Sequence, residues 1–375
     1  MTLMPLSRRQ LRRACSLEAI ASPENLWIAA LKARRGKTRR PDVEECWRHR
    51  ESAINRLSRK LLSREWQPGG YRFFEIHQPK RRWIAAAPFE DRVVHHALCR
   101  LMQPVLERRF IARSYSCQIG KGTMAARDCC RKLTNRYRYV LKCDVSKFFH
   151  QIDHAILLEK LAREIYCPAA LDLCAKILGS FRTGDDPPPA RFSGDDPAMR
   201  IERPRGLPIG NLTSQIWGNF YLDAMDHRIA EGEGCGSYLR YTDDFLLFGD
   251  DKARLWDLHE IVMAELASLR LMLALPKSRL LATREGVPFC GMRFLPRLRP
   301  RILGATKRRF EKRRHRLYRE GIRGRHLTLR IVSWYRFSEE ANSEGLRHVY
   351  SAWVADRRRA KRRKKLRRNR RTRKR

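Results

Sequence analysis

Two short apolar strands beside an acidic pair constrain the fold of this chain more than any other feature. Residues 237–241 and 245–249 are rich in aromatic and aliphatic side chains, and Asp243 and Asp244 lie between or near them, which predicts a tight hairpin. A third apolar stretch, residues 138–143, predicts a strand buried on both faces and is followed directly by Asp144. Carboxylates at strand ends avoid the dry strand interior, where an unpaired charge is costly, and are still held rigidly by it.

These aspartates suggest a metal centre. If the two strand ends are neighbours, Asp144, Asp243 and Asp244 converge and would bind two Mg²⁺ ions about 3.5–4 Å apart, with Mn²⁺ as the alternative ion. Such a pair of ions activates a 3′-hydroxyl and stabilises a departing pyrophosphate. The competing interpretation is a simple turn, because Asp is common in turns. These residues alone leave both interpretations open.

The rest of the pattern predicts a chain of mixed helices and strands. Apolar residues at helical spacing predict helices at residues 44–64, at 91–110 with an interruption near Pro104, at 154–165 and at 252–273. Further short strands are predicted at residues 71–76, 82–86 and 288–295. Residues 183–203 contain two Asp-Asp pairs within Pro/Gly-rich sequence, which we interpret as turn chemistry and not as catalysis.

The charge of the chain indicates a polyanionic partner. Lys and Arg number 81 against 40 Asp and Glu, a formal net charge of +41. Residues 357–375 hold fifteen Lys or Arg among nineteen residues, a composition that cannot form a core and predicts a disordered basic tail. The other 356 residues keep an excess of 26 positive charges, with a second basic concentration at 297–325. Nucleic acid is favoured, because each neutralised phosphate releases counterions; a solubility tail or a nuclear-import signal is the alternative.

Composition also disfavours several classes of protein. No stretch of about 18 apolar residues occurs, which excludes an ordinary transmembrane helix, and the basic tail lacks an apolar face for a membrane surface. Residues 1–15 are basic without a continuous apolar run, so no secretory signal is expected. The eleven cysteines include no C-x-x-C pair, which predicts buried or incidental thiols in a reducing compartment. We therefore expect a cytoplasmic protein with no membrane partner.

Several motifs occur in an order that resembles the reverse transcriptase family. They are YVLKCDVSKFFHQIDH at residues 139–154, RGLPIGNLTSQ at 205–215 and RYTDDF at 240–245. Residues 81–99 and 113–122 resemble the first and second fingers motifs, so the resemblance covers approximately residues 71–295. It implies an α+β right-hand polymerase that acts as an RNA-directed DNA polymerase, with template RNA, primer, cDNA and deoxynucleoside triphosphates (dNTPs) as partners.

The resemblance also implies how the chain is divided. The implied parts are an N-terminal helical basic extension (1–70), fingers (71–137), a palm with an antiparallel sheet and helices (138–295) that carries an inserted part of the fingers (about 155–206), a basic helical thumb (296–356) and the disordered tail (357–375). Within the palm, residues 286–296 would form the hairpin that grips the primer end.

Positions that match the motifs take the family's roles as expectations. Asp144, Asp243 and Asp244, with Val145, would bind the metal ions, and Lys277 would neutralise or protonate the leaving pyrophosphate. Phe149 falls at the aromatic steric gate that leaves no room for a 2′-hydroxyl. The residues expected at the nucleotide and template are Arg81 or Arg82 at the triphosphate, and Val145, Phe149, Ile209, Gly210 and Gln215. A core aromatic and a surface lysine are the alternatives for Phe149 and Lys277.

Residues 207–215 distinguish subgroups of the family. Group II intron and retron enzymes usually have Pro-Gln-Gly here, whereas Pro208-Ile209-Gly210 resembles the reverse transcriptases of diversity-generating retroelements. Members of that subgroup copy a template RNA with frequent errors at adenines, and a small accessory protein is an implied partner. The physical hypothesis is that Ile209 cannot make the hydrogen bond by which Gln helps to check nucleotide geometry, which would relax discrimination by about 1–2 kcal/mol.

Two departures from the family's pattern bear on the site. Thr242 stands where Met or Ala is more usual, and Ser116-Cys117-Gln118 stands where a basic residue is expected. One alternative is another bacterial reverse transcriptase, either group II-like or defence-associated. The other is a non-catalytic RNA-binding protein on a palm scaffold, and the intact set of three aspartates argues against it.

Overall fold

The computed structural model describes residues 15–77, 81–184, 190–193, 195, 196, 198, 202–233, 237–322 and 324–348. Within these residues, the chain forms two compact units. The first contains the described residues of 1–129 and 139–280, and the second contains those of 130–138 and 281–375. The predicted tail at 357–375 lies outside the described residues. The division into fingers, palm and thumb stays a prediction.

Four helices open the first unit. They are α1 (Leu17–Ala21), α2 (Pro23–Arg34), α3 (Pro41–Arg48) and α4 (Arg50–Leu62). The single helix predicted at 44–64 is therefore wrong: two helices replace it, separated at His49, whose backbone (φ −113°, ψ 34°) is not helical. Because of this break, Val43 of α3 and Leu57 of α4 both reach one buried core.

A two-stranded ribbon follows. The predicted strands at 71–76 and 82–86 are confirmed as β1 (Arg72–Ile76) and β2 (Arg82–Ala86), which pair antiparallel. Helix α5 (Phe89–Glu107) comes next and packs against α2. The interruption predicted at Pro104 does not occur, since the helix continues through it to Glu107. Proline removes one backbone N–H, but this one lies in the last turn, where little helix remains to be disturbed.

Six further helices follow along the chain. They are α6 (Thr123–Arg136), α7 (Phe148–Gln151), α8 (His154–Ala162), α9 (Pro168–Gly179), α10 (Leu212–Tyr221) and α11 (Asp223–His227). The helix predicted at 154–165 is confirmed as α8. In the loop at 183–203, Asp195 accepts the Phe192 N–H and Asp196 accepts the Ala198 N–H, which confirms the turn role of this pair. Asp185-Asp186 lies outside the described residues.

Three strands of a four-stranded sheet lie in the first unit, and the fourth contains residues of both units. The strands of this sheet are β3 (Tyr139–Asp144), β4 (Tyr238–Tyr241), β5 (Asp244–Gly249) and β6 (Arg279–Ala282), in the order β4-β5-β3-β6. Strand β5 runs antiparallel to β3 and to β4, and the predicted hairpin is confirmed as β4–β5. Val140, Leu141, Phe245 and Leu247 are fully buried, as the apolar runs predict.

Helix α12 (Lys252–Ser268) packs against β3 and β5. It ends five residues before the predicted end at 273. Arg270 takes a left-handed conformation (φ 53°), and the Leu271 N–H donates to the Leu266 carbonyl at 2.8 Å. Such a left-handed residue with a reversed hydrogen bond ends a helix by satisfying its last carbonyls.

The second unit contains a small sheet and two helices. Its further elements are β7 (Val287–Phe289), β8 (Met292–Phe294), β9 (Arg301–Ile302), α13 (Gly304–Arg319) and α14 (Gly324–Glu339). The single strand predicted at 288–295 is instead a hairpin, because Cys290 (φ 42°) and Gly291 (φ 84°) turn the chain between β7 and β8. Phe310 of α13 stacks on Trp334 of α14 with ring centroids 3.7 Å apart. None of the helices in the described ranges has the length and apolar character needed to cross a membrane.

Candidate active site

The end of the β3–β5 pair gathers the three predicted aspartates. Asp144, the last residue of β3, lies directly opposite Asp244, the first residue of β5. Asp243 precedes Asp244 in the turn, and its carbonyl oxygen accepts the Val145 N–H at 3.1 Å. The two strand ends are therefore neighbours, as the sequence predicts, and three acidic residues share one edge of the sheet.

Two lysines bind these carboxylates. Lys142 Nζ donates to Asp244 Oδ1 at 2.5 Å, and Lys277 Nζ donates to Asp144 Oδ1. Lys277 reaches the site because residues 272–274 run beside β3, with the Ala274 N–H donating to the Asp144 carbonyl at 2.8 Å. Sequence reasoning missed Lys142, although alternation along a strand places residues 142 and 144 on one face.

The electrostatics of the edge follow from burial and from crowding of like charges. Burial raises the pKa of Asp243, and the nearby Asp144 carboxylate raises it further, against the opposing effect of Lys277 and Arg82. Burial also raises the pKa of Asp244, and the ammonium group of Lys142 acts against this shift. A cation beside these carboxylates would act against this rise and favour their ionised forms.

The donor atoms at this edge fit a hard divalent cation. Across the described part of the chain, no three His, Cys, Asp or Glu side chains lie close enough together to form a ready-made metal site. At two of the three aspartates, an ammonium group takes the position beside the carboxylate. Carboxylate oxygens are nevertheless the ligands that Mg²⁺ and Mn²⁺ prefer. The metal-ligand role of Asp144, Val145, Asp243 and Asp244 stays a prediction.

Phe149 lies in α7, close to the segment 205–215. Its ring is half-buried, with its centroid 5.1 Å from that of Phe148. Its carbonyl oxygen accepts the Leu207 N–H at 2.6 Å. Helix α10 approaches closely as well, since a Cβ added at Gly218 would lie 3.1 Å from Phe149 Cε1. A half-buried ring in this place is consistent with a steric gate and with a core aromatic.

The ribbon β1–β2 meets the segment that contains Ile209 and Gly210. The Ala85 N–H donates to the Ile209 carbonyl at 3.2 Å. Gly210 has φ +124°, and an added Cβ would lie 3.1 Å from Ile84 Cγ2. Glycine is needed here for both reasons, because other residues rarely adopt this conformation. Gln215 is exposed in the first turns of α10.

The environments of the two candidate arginines differ. Arg81 donates to the carboxylate of Glu75, and its side chain is 75% exposed. Arg82 is the first residue of β2, and its positive charge is one of those that lower the pKa of Asp243. Arg82 therefore acts electrostatically on the acidic edge, whereas Arg81 is engaged by a carboxylate on the ribbon itself.

A buried arginine that sequence reasoning missed holds the turn of the β4–β5 hairpin. Arg240 is fully buried and forms an ion pair with the equally buried Asp226, with Nη2 and Oδ2 2.5 Å apart. Its Nη1 also donates to the Thr242 carbonyl at 2.9 Å. The available signal was the single charged residue within the strand sequence Tyr-Leu-Arg-Tyr, since a buried charge requires a partner.

With this geometry established, comparison with known proteins assigns the class. Residues 76–294, more than half of the chain, match the reverse transcriptase (RNA-dependent DNA polymerase) family. The chain belongs to this family. The match confirms the enzyme class that the motifs indicate, RNA-directed DNA polymerase, and the elements confirm an α+β fold with antiparallel sheets.

Individual proteins that resemble this chain share less than a quarter of its residues in the aligned regions. The protein YkfC of Escherichia coli (strain K12) is 24% identical over 279 residues, which cover 64% of this chain and 70% of that protein. Telomerase from Candida albicans, solved with a TWJ fragment of telomeric RNA, gives a TM-score of 0.44 at 14% identity, over 68% of this chain and 49% of that chain. A partial Cas6-RT-Cas1–Cas2 complex gives a TM-score of 0.39 at 19% sequence identity. The alignment covers 70% of this chain and 44% of that chain. This chain thus spans about half or less of those two solved chains.

Proposed function

We propose that this protein copies an RNA template into cDNA at the edge formed by Asp144, Asp243 and Asp244. One observation carries the proposal: Asp144 and Asp244 are direct cross-strand partners, and Asp243 lies in the adjoining turn. Carboxylates on paired, buried strands keep their mutual geometry during a reaction. Nucleotidyl transfer needs such fixed anionic ligands, because its charge develops on phosphate oxygens held by cations.

The proposed cofactor is Mg²⁺, two ions, with Mn²⁺ as the alternative. Asp144, Asp243 and Asp244, with the main-chain carbonyl of Val145, would hold them. When bound, they supply activation of the 3′-hydroxyl and charge stabilisation at the departing pyrophosphate. Lys277, which contacts Asp144, would donate a proton or a hydrogen bond to that pyrophosphate. Lys142, in direct contact with Asp244, lowers the pKa of that carboxyl group against the effect of burial.

The dNTP would lie between the acidic edge and the segment 205–215. Arg82 is the arginine that we assign to the triphosphate, because its charge already acts on Asp243. The Phe149 ring would face the sugar and leave no room for a 2′-hydroxyl. Gly210 lets the backbone come close to the nucleotide, and Gln215 is exposed at the start of α10.

Template RNA, primer and cDNA are the proposed polyanionic partners. Helix α13 carries exposed Lys307, Arg308, Arg309, Lys312, Arg313, Arg316 and Arg319. Glu311 lies within this row and Glu320 forms an ion pair with Arg316, so the cations outnumber their acidic neighbours. This excess of positive charge favours phosphate contacts, and such contacts weaken as salt rises. This helix belongs to the proposed thumb, residues 296–356, and the hairpin β7–β8 would grip the primer end.

The finer assignment is a reverse transcriptase of a diversity-generating retroelement, error-prone at template adenines. The support for it is Ile209, an apolar residue at a position where other subgroups have Gln. The Ala85 N–H donates to the Ile209 carbonyl and holds the backbone there. An apolar side chain cannot make the hydrogen bond by which Gln favours a correctly placed nucleotide, so discrimination against a misplaced one weakens. A small accessory protein and a cytoplasmic location belong to this assignment.

The proposed function is tested by primer extension on a defined RNA template with dNTPs and Mg²⁺. The cDNA product is then sequenced. We expect full-length cDNA with misincorporation concentrated at template adenines. Accurate cDNA would keep the polymerase and contradict the subgroup, in favour of a group II-like or defence-associated enzyme. RNA binding without extension, in Mg²⁺ and in Mn²⁺, would contradict the proposal and favour an RNA-binding protein on a palm scaffold.

A further inference from the structure

Four side chains link the turn of the β4–β5 hairpin to Gln215. The Thr242 hydroxyl donates to Ser116 Oγ at 2.7 Å. The Ser116 hydroxyl donates to Cys117 Sγ at 3.3 Å, and the Cys117 thiol donates to Gln215 Oε1 at 3.4 Å. These contacts form a continuous row of donors and acceptors, which we call the relay. Its first three members, Thr242, Ser116 and Cys117, are among the positions where the sequence departs from the family's pattern.

The relay is anchored by Arg240. Its Nη1 donates to the Thr242 carbonyl at 2.9 Å and to Asn219 Oδ1 at 3.1 Å. Asn219 in turn donates its amide to the Ser116 carbonyl. Thr242 has φ +60°, a conformation that β-branched residues seldom adopt and that persists only where the surroundings impose it. The turn cannot relax without disturbing Ser116.

The last contact sets the orientation of an amide. A thiol donor at Oε1 fixes which end of the Gln215 side chain faces Cys117. The other end is the Nε2 group, to which no residue in the described part of the chain is hydrogen-bonded. That amide nitrogen remains available as a donor, and Gln215 is exposed.

We propose that Ser116 and Cys117 are positioning residues that tie the Gln215 amide to the conformation of the Thr242 turn, so that Nε2 is presented as a donor to the incoming nucleotide. The inference rests on the proposed function, which assigns Gln215 to the nucleotide site. The relay couples nucleotide selection to the same turn that carries Asp243 and Asp244.

A double-mutant cycle in primer extension tests the coupling. Thiol and hydroxyl hydrogen bonds are weak, so Cys117→Ala and Thr242→Val are each expected to raise KM for the dNTP about threefold, with kcat within about twofold. The KM of the double variant should match that of the poorer single variant. If the two effects were independent, they would multiply and raise KM about tenfold. Thr242→Ser keeps the hydroxyl and should restore KM. Cys167→Ala, outside the relay, is the matched control.

A second readout does not depend on polymerisation. The alkylation rate of Cys117 is measured in the free protein by mass spectrometry of its peptide. Gln215→Leu nearly keeps the size of the side chain and removes the acceptor that stabilises the protonated thiol, so more thiolate forms and the rate should rise about twofold or more. An unchanged rate, or multiplicative effects in the cycle, would overturn the relay. A rate that rises as expected in a protein that extends no primer would support the relay and contradict the proposed function.

Discussion

Lys277 binds the carboxylate of Asp144, although 133 residues separate the two in sequence. The contact is fixed by the backbone on both sides of Asp144. The Ala274 N–H donates to the Asp144 carbonyl at 2.8 Å, and the Ser146 N–H donates to the Met272 carbonyl at 2.8 Å. Lys277 is therefore held at the acidic edge by the strand that carries Asp144, although its side chain is half exposed. Its catalytic role stays a prediction.

Replacing Lys277 tests its role in the transfer step. Lys277→Gln should lower the rate of nucleotide addition about a hundredfold, because a positioned proton donor contributes at least that much. Rapid-quench primer extension measures this rate. Lys60→Gln, an exposed lysine on α4, is the control and should extend normally. Equal rates for the two variants would contradict a catalytic role for Lys277.

Phe149→Ala tests the steric gate. Removal of the ring opens space beside the sugar, so the preference for dNTPs over ribonucleotides should fall about 10–100-fold. The ratio of kcat/KM for the two substrates measures this preference and is insensitive to the amount of active protein. A lower melting temperature with an unchanged ratio would favour the alternative, a core aromatic.

Gly210→Ala tests the approach of the ribbon to the nucleotide segment. A Cβ at φ +124° is strained and would crowd Ile84, so the free energy of unfolding should fall by about 1–3 kcal/mol. Denaturant unfolding measures the change, and Gly70→Ala, where an added Cβ meets nothing within 4 Å, is the control. A variant at Gly210 as stable as the control would contradict the close approach.

Acid stability tests the burial of His95. Burial lowers the pKa of His95 to about 3. His95 takes up a proton near pH 6.5 in the unfolded chain but not in the folded chain. Its contribution to the free energy of unfolding is therefore present above pH 6.5 and is lost as the pH falls toward 3. For this residue alone, the loss between pH 7.5 and pH 5 should be about 2 kcal/mol. Unfolding of His95→Leu across this range should lack that part of the loss.

His227→Gln is the control, because His227 should contribute to the free energy of unfolding with the opposite pH dependence. Although burial by itself would lower it, the pKa of His227 is raised by hydrogen bonds to Glu231 and to the Arg109 carbonyl. Its contribution is therefore present at low pH and is lost as the pH rises through the raised pKa. The same pH dependence in His95→Leu as in the unmodified protein would show that His95 is not the buried neutral group described here.

The sequence predicted the strands and hairpin of the central sheet because their apolar runs are local signals. Strand β3 and the β4–β5 hairpin lie where the pattern places them, and with them the three aspartates at one edge. The missed features depend on long-range register. Lys142 meets Asp244 only because β3 pairs with β5, and the link from Arg240 through Asn219 to Ser116 joins three separate segments of the chain.

Errors in the helices have local physical causes. The break at His49 follows from two short apolar faces that must both reach the core, and apolar spacing alone cannot distinguish two such helices from one. The early end of α12 follows from Arg270, a residue with no sequence signal for a left-handed conformation. Conversely, Pro104 was expected to interrupt α5, but its position in the last turn makes it harmless.

Primer extension by Asp243→Asn tests whether Asp144, Asp243 and Asp244 form the active site. The substitution keeps the size of the side chain and removes its charge, and Asp257→Asn on the exposed face of α12 is the matched control. We expect Asp243→Asn to abolish cDNA synthesis. The affinity for RNA should stay within about twofold of that of the unmodified protein, because it depends mainly on phosphate contacts elsewhere. The control should extend normally. Equal cDNA synthesis by Asp243→Asn and the unmodified protein would contradict the assignment of the acidic edge as the active site.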